Sequence, residues 1–163
     1  MSADSPSSWA IIALGSNLGD SPALLRAAVR RLGDYSDEPL FASSLWQSTP
    51  VDCPPDSPLF VNAVAGLIPR PEETPEGLLT KLQALEREFG RKPKMVMNES
   101  RPLDLDLIAF GHEQRRTPEL ILPHPRAHLR RFVLQPLSEV APEFVLPGQS
   151  ATIRELLESL PSN

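Results

Sequence analysis

Residues 100–111 read SRPLDLDLIAFG, an alternation of apolar and acidic side chains that an extended strand accommodates naturally. Successive strand side chains point to opposite faces, so Leu103, Leu105 and Leu107 share one side and Asp104 and Asp106 the other. At a rise of about 3.3 Å per residue the two acids stand roughly 6.6 Å apart. Like charges beside an apolar strand are costly unless something positive lies between or above them. Hard divalent cations meet that need, since carboxylate oxygens suit Mg²⁺ and leave coordination positions for substrate phosphates. The run therefore suggests a metal–phosphate site. The alternative is a wet strand face that carries Asp only because water is there.

Charge distribution bears on that choice. Residues 1–80 hold 4 basic and 10 acidic groups, and residues 132–163 hold 1 and 4. Residues 81–131 hold 11 basic and 7 acidic groups, and two of the seven are the strand pair. A basic segment around paired carboxylates suits a polyphosphate bound through metal, although a solvated charged surface has the same composition. The overall net charge of −5 argues against a general nucleic-acid binder.

One domain is expected over residues 1–163, with residues 1–8 disordered. No apolar run approaches a membrane span, and MSADSPSSW lacks the parts of a signal peptide. Cys53 is the single cysteine, which rules out an internal disulfide and fits a reducing compartment, the cytoplasm. A monomer is expected.

Trp9–Leu14 reads as a short apolar strand followed by the turn GSNLGD, with Gly15 supplying backbone freedom and Asn17 local hydrogen bonds. Ser21 then caps a helix opened by Pro22, with Leu25, Ala28, Val29 and Leu32 buried and Gly33 as its stop. Leu40–Thr49 and Leu59–Ile68 read as strands on either side of a proline-rich loop. A second helix is capped by Thr74, opened by Pro75, lined by Leu78, Leu82, Leu85 and Phe89, and ended by Gly90. RKPKMVMNESR, basic and without apolar period, then leads into the diacidic strand as a mobile lid would. The pattern assigns no element to LPHPRAHLRRFVLQPL, and Thr152 with Glu155 opens a last short helix through a capping box. The order β-α-β-β-α-β predicts an α+β fold, a ferredoxin-like βαββαβ sheet with helices packed on one face.

From about Ala10 to Leu157 the chain strongly resembles the 6-hydroxymethyl-7,8-dihydropterin pyrophosphokinases of folate biosynthesis. The resemblance rests on LGSNLGD at 14–20, STP at 48–50, FVNAV at 60–64 and LEREFGR at 85–91. It continues through SRPLDLDLIAFG and LPHPRAHLRRFVLQPL at 122–137. It implies transfer of pyrophosphate from ATP to the hydroxymethyl group of the reduced pterin, with release of AMP and with two Mg²⁺ ions on the triphosphate.

The same resemblance implies the residue roles. Asp104 and Asp106 match the metal-binding pair. Arg91 and Arg101 match arginines that clamp the phosphates, for which a planar fork of donors is suited. His124 and Arg130 match further nucleotide-binding positions, and a histidine between two prolines also suits simple bracing of a loop. Gln83 and Glu86, three apart on one helix flank, match positions that face the nucleotide, and they also read as ordinary helix-surface polarity. Phe60 and Asn62 share a strand face, where a carboxamide that both donates and accepts suits a pterin edge. Thr49, Pro50 and Phe132 match further pterin contacts, Phe132 as a stacking ring or as plain core.

Three positions depart from the family pattern. Pro93 replaces an arginine found in some members, leaving Lys92 or Lys94 to supply that charge in the ATP site, as a point charge without the fork. Asn98 replaces a tryptophan that closes over the pterin in some members, and Pro125 replaces a tyrosine. A diacidic nucleotide-sugar transferase is the enzymatic rival, and a ferredoxin-like ligand sensor the non-enzymatic one.

Overall fold

The computed structural model describes residues 8–17, 21–48, 60–90 and 103–161. Of the segment expected to be disordered, Ser8 is placed and residues 1–7 lie outside the described residues, as does the expected lid. Strand β1 (Ala10–Ser16) is buried except at Gly15 and lies between β4 (Phe60–Leu67) and β5 (Asp104–Phe110), antiparallel to both. β2 (Phe41–Ala42) and β3 (Trp46–Ser48) both pair with β4, giving the order β2-β4-β1-β5 with β3 also on β4. Taken with α1 (Ser21–Leu32) and α2 (Pro75–Glu88), this is the ferredoxin-like βαββαβ unit. A separate small ribbon joins β6 (Arg115–Arg116) to β7 (Ile121–Leu122).

The strand expected over Leu40–Thr49 is two short pieces, and Ser43 breaks it. Its hydroxyl accepts the Val64 N–H at 2.9 Å, while its own N–H donates to the Val64 carbonyl at 2.9 Å. A side chain thus takes the ladder place of a backbone carbonyl, and the regular pairing stops there.

The sheet is covered on both faces. Leu14, Leu103, Leu105 and Leu107 meet the buried stripes of α1 and α2. Ile11, Ala13, Val64 and Ile108 meet Val133, Leu134 and Leu137 of α3 (Arg131–Val140) and Ile153 of α4 (Ile153–Ser159). Helices on one face therefore describes the βαββαβ unit alone, since α3 and α4 close the other side. The unbroken apolar run of β1 fits this, because a strand buried on both faces has no polar alternation.

Local signals placed the helix ends well. Thr74 accepts the Gly77 N–H at 3.0 Å with Pro75 at the first position, and Gly90 follows α2 at φ 103°. Thr152 and Glu155 form both halves of the expected capping box, at 3.1 and 2.8 Å. Gly33 does not stop α1 outright, since it opens a 3-10 turn through Tyr35. Helix α3 carries Pro136 in its interior, which obscures a helical reading of that segment.

Candidate active site

The diacidic strand folds as its alternation demands. Leu103, Leu105 and Leu107 are buried, while Asp104 and Asp106 are half-exposed. Asp104 lies opposite Gly15 and Asp106 opposite Ala13 across the β1 ladder. β5 is the outer strand of the sheet, so one row of its backbone groups looks away from β1. The Leu105 N–H on that edge donates to Glu86 Oε2 at 2.7 Å, joining α2 to the strand. Further along, the Ile108 carbonyl accepts the His124 N–H at 2.8 Å, which hooks the segment leading to α3 onto the same edge. Between these two attachments lies a cleft of about 540 Å³, lined by Gln83, Glu86, Asp104, Asp106, His124 and Arg130 with Leu79 and Leu105 beneath.

Three segments distant in sequence thus meet at one strand edge. Among the described lining residues three are carboxylates and one is a guanidinium, and no group of three or more His, Cys, Asp or Glu side chains among the described residues is placed to hold a metal ion by itself. The donor set is oxygen-rich, and Asp104 and Asp106 are spaced along a single strand face. Mg²⁺ is commonly held by one or two carboxylates together with substrate phosphates, so these residues fit it.

His124 is held below the ordinary imidazole pKa of 6.5, first by burial and then by the charges of Arg130 and Arg126. The Arg126 N–H donates to His124 Nδ1 at 3.2 Å, which assigns the proton of the neutral ring to Nε2. A neutral donor beside an arginine suits phosphate or base recognition. Glu86 is only 8 % exposed and anchors β5, so it is more than helix-surface polarity.

Of the residues matched to the pterin, the described ones, Phe60, Asn62 and Phe132, are not among those lining this cleft. Asn62 is buried in β4, paired with Gly15 on one side and Trp46 on the other, while Phe60 is half-buried at the strand's start. Trp46, Asn62, Gly15 and Asp104 consequently form a row across one face of the sheet. With strands about 4.8 Å apart, Asn62 and Asp104 are separated by about 10 Å. Gly15 belongs to β1 and not to a turn. Its role is to leave room, since a Cβ there would come 3.2 Å from Asn62 Oδ1. Phe132 is 42 % exposed at the start of α3, with the Arg130 guanidinium 5.4 Å from its ring centre, so it is not core. Thr49, Pro50, Arg91, Lys94 and Arg101 lie outside the described residues.

The model of the family described as 7,8-dihydro-6-hydroxymethylpterin-pyrophosphokinase matches residues 11–142. The chain is 41 % identical over 150 residues to the 2-amino-4-hydroxy-6-hydroxymethyldihydropteridine pyrophosphokinase of Haemophilus influenzae, covering 91 % of each. It is 35 % identical over 151 residues to the protein of that name from Synechocystis, covering 93 % of this chain and 75 % of the other. In fold it is similar to a crystal structure of a Plasmodium falciparum HPPK-DHPS triple mutant, at a TM-score of 0.68 and 13 % identity. That match covers 92 % of this chain and 44 % of the other. A match this long to the family's sequence pattern, together with relatives alike over three quarters or more of their length, means that the chain belongs to the 7,8-dihydro-6-hydroxymethylpterin-pyrophosphokinase family.

Proposed function

We propose that the cleft beside β5 binds the ATP of the family reaction, and that the sheet face around Asn62 binds the pterin. The chain is a pyrophosphokinase of folate biosynthesis that transfers pyrophosphate from ATP to the hydroxymethyl group of 6-hydroxymethyl-7,8-dihydropterin. The hydroxyl oxygen bonds to the β-phosphorus and gives up its proton to a carboxylate or to water, the bond from that phosphorus to the α,β-bridging oxygen breaks, and AMP leaves with its electron pair. One observation carries the placement: Gln83 with Glu86, Asp104 with Asp106, and His124 with Arg130 converge on one cleft.

Asp104 and Asp106 would hold the Mg²⁺ of the site, two ions in all. Bound there, Mg²⁺ neutralises phosphate oxygen charge and orients the triphosphate. Gln83 and the neutral His124 supply nucleotide contacts, Glu86 keeps β5 in place, and Arg130 binds phosphate. Arg91, Lys94 and Arg101 complete the phosphate clamp in this reading. Asn62 reads the pterin edge, with Thr49, Pro50, Phe60 and Phe132 around the ring. The row from Asn62 to Asp104 supports a pterin lying over Gly15, its hydroxymethyl arm directed at the carboxylates. Among the described residues no helix is long and apolar enough to cross a membrane. A single domain over residues 1–163, acting as a cytoplasmic monomer without nucleic acid, accords with the composition and the single cysteine.

The test is to incubate the protein with ATP, Mg²⁺ and the reduced pterin and to identify the nucleotide released. AMP is expected. ADP would refute pyrophosphoryl transfer.

A further inference from the structure

We propose that Glu139 is a positioning residue for the pterin half of the site, joining α3 to β3. This rests on the pterin assignment above. Both oxygens of the Glu139 carboxylate are engaged. Oε2 accepts the Ser44 N–H at 3.0 Å, and Oε1 accepts the Ser44 hydroxyl at 2.7 Å and the Trp46 indole N–H at 3.0 Å. All three donors come from a segment more than ninety residues upstream. An exposed carboxylate ordinarily keeps its freedom in water, and ordering it costs rotamer entropy unless several good partners offset that. Burial pushes its pKa up, but the Ser44 and Trp46 hydrogen bonds outweigh that and hold the carboxyl below its ordinary value.

The placement of this carboxylate gives it a functional consequence. Helix α3 carries Phe132 at its start and Glu139 near its end, about 10 Å apart along the axis. β3 pairs Trp46 with Asn62 and Ser48 with Phe60, and then runs directly into Thr49 and Pro50. Three residues of ladder hold β3 weakly by themselves. The β3–β4 pairing locks Asn62 to Trp46, and Glu139 locks Trp46 to α3. One side chain therefore couples the elements that carry Phe60, Asn62 and Phe132. The ATP cleft lies at the other edge of the sheet, on β5, beyond both β4 and β1. Loosening β3 should weaken pterin binding and leave ATP binding intact.

Steady-state kinetics on Glu139→Gln test this, because Gln keeps the size but loses the charge and at least one acceptor. The KM for the pterin should rise about five- to tenfold, a part of what one charge-assisted hydrogen bond contributes, because Gln keeps one acceptor oxygen. The KM for ATP and kcat should stay within about twofold. Trp46→Phe, which removes only the indole donor, should raise the same KM by a smaller factor, and the two changes combined should be less than additive. If Glu139→Gln does not fold, Trp46→Phe and Ser44→Ala carry the test alone. An unchanged pterin KM, or equal rises for pterin and ATP, overturns the proposal. Wild-type protein that releases no AMP would instead overturn the functional reading, so the two failures are distinct.

Discussion

Replacing Glu86 by Ala separates a structural carboxylate from an ornamental one. The side chain is 8 % exposed and accepts the Leu105 N–H at 2.7 Å, the short range of a charge-assisted bond. Such a bond contributes about 1.5–3 kcal/mol, and an orphaned buried donor costs a similar amount. The cleft lies alongside, so water can partly satisfy the amide, which brings the expected loss to about 2 kcal/mol. For a chain of this length that corresponds to a fall in Tm of about 4–8 °C. Glu86→Gln retains an acceptor oxygen and should lose only about half as much. Because the released amide lies between Asp104 and Asp106, the alanine variant should also lose kcat/KM for ATP by about tenfold or more, whereas the pterin KM stays near normal. Calorimetric melting and initial-rate kinetics measure both effects. A Tm within about 1 °C of wild type, with unchanged ATP kinetics, would show that Glu86 does not hold the strand.

Asp106→Ala should lower kcat by at least about 10³-fold while far-UV circular dichroism stays native, since the side chain is half-exposed and its loss leaves the leucine face intact. Near-normal turnover would sink the metal assignment. Gly66→Ala should destabilise by about 1–3 kcal/mol, because the new Cβ would lie 2.8 Å from Cδ2 of Trp9, a ring buried and stacked on Phe41 at 4.5 Å. An unchanged Tm would mean that Trp9 can move aside. His124 should titrate below 6.5 by NMR, and Arg130→Ala should bring its midpoint up, though burial keeps it below the ordinary value. The sign for stability follows from the unfolded chain taking the proton more readily than the folded one. The contribution is complete above 6.5 and is lost as pH falls through 6.5 toward the folded pKa. His124→Gln should therefore lose less stability than wild type as pH falls below 6.5, and equal losses would contradict the shift.

Much of this molecule was legible along the chain. The leucine–aspartate alternation determined the faces of β5, Thr74 with Pro75 set the start of α2, and Thr152 with Glu155 set that of α4. These are signals between residues a few positions apart, where backbone geometry alone dictates who meets whom. The family motifs likewise named the residues of the cleft. Tertiary structure decided what lay beyond local reach. It broke the second strand at Ser43 by pairing that hydroxyl with Val64, and it formed α3 around an interior proline by burying Val133, Leu134 and Leu137. It turned Gly15 from a presumed turn residue into the gap beside Asn62 and left Phe132 exposed when core packing was an open alternative. It also gave Glu86 and Glu139 their partners, 19 and 95 residues away. A carboxylate on a helix flank looks the same in sequence whether it faces water or a distant amide. Only the packing of one element on another supplies the partner, and that partner decides whether the charge is idle or holds a strand.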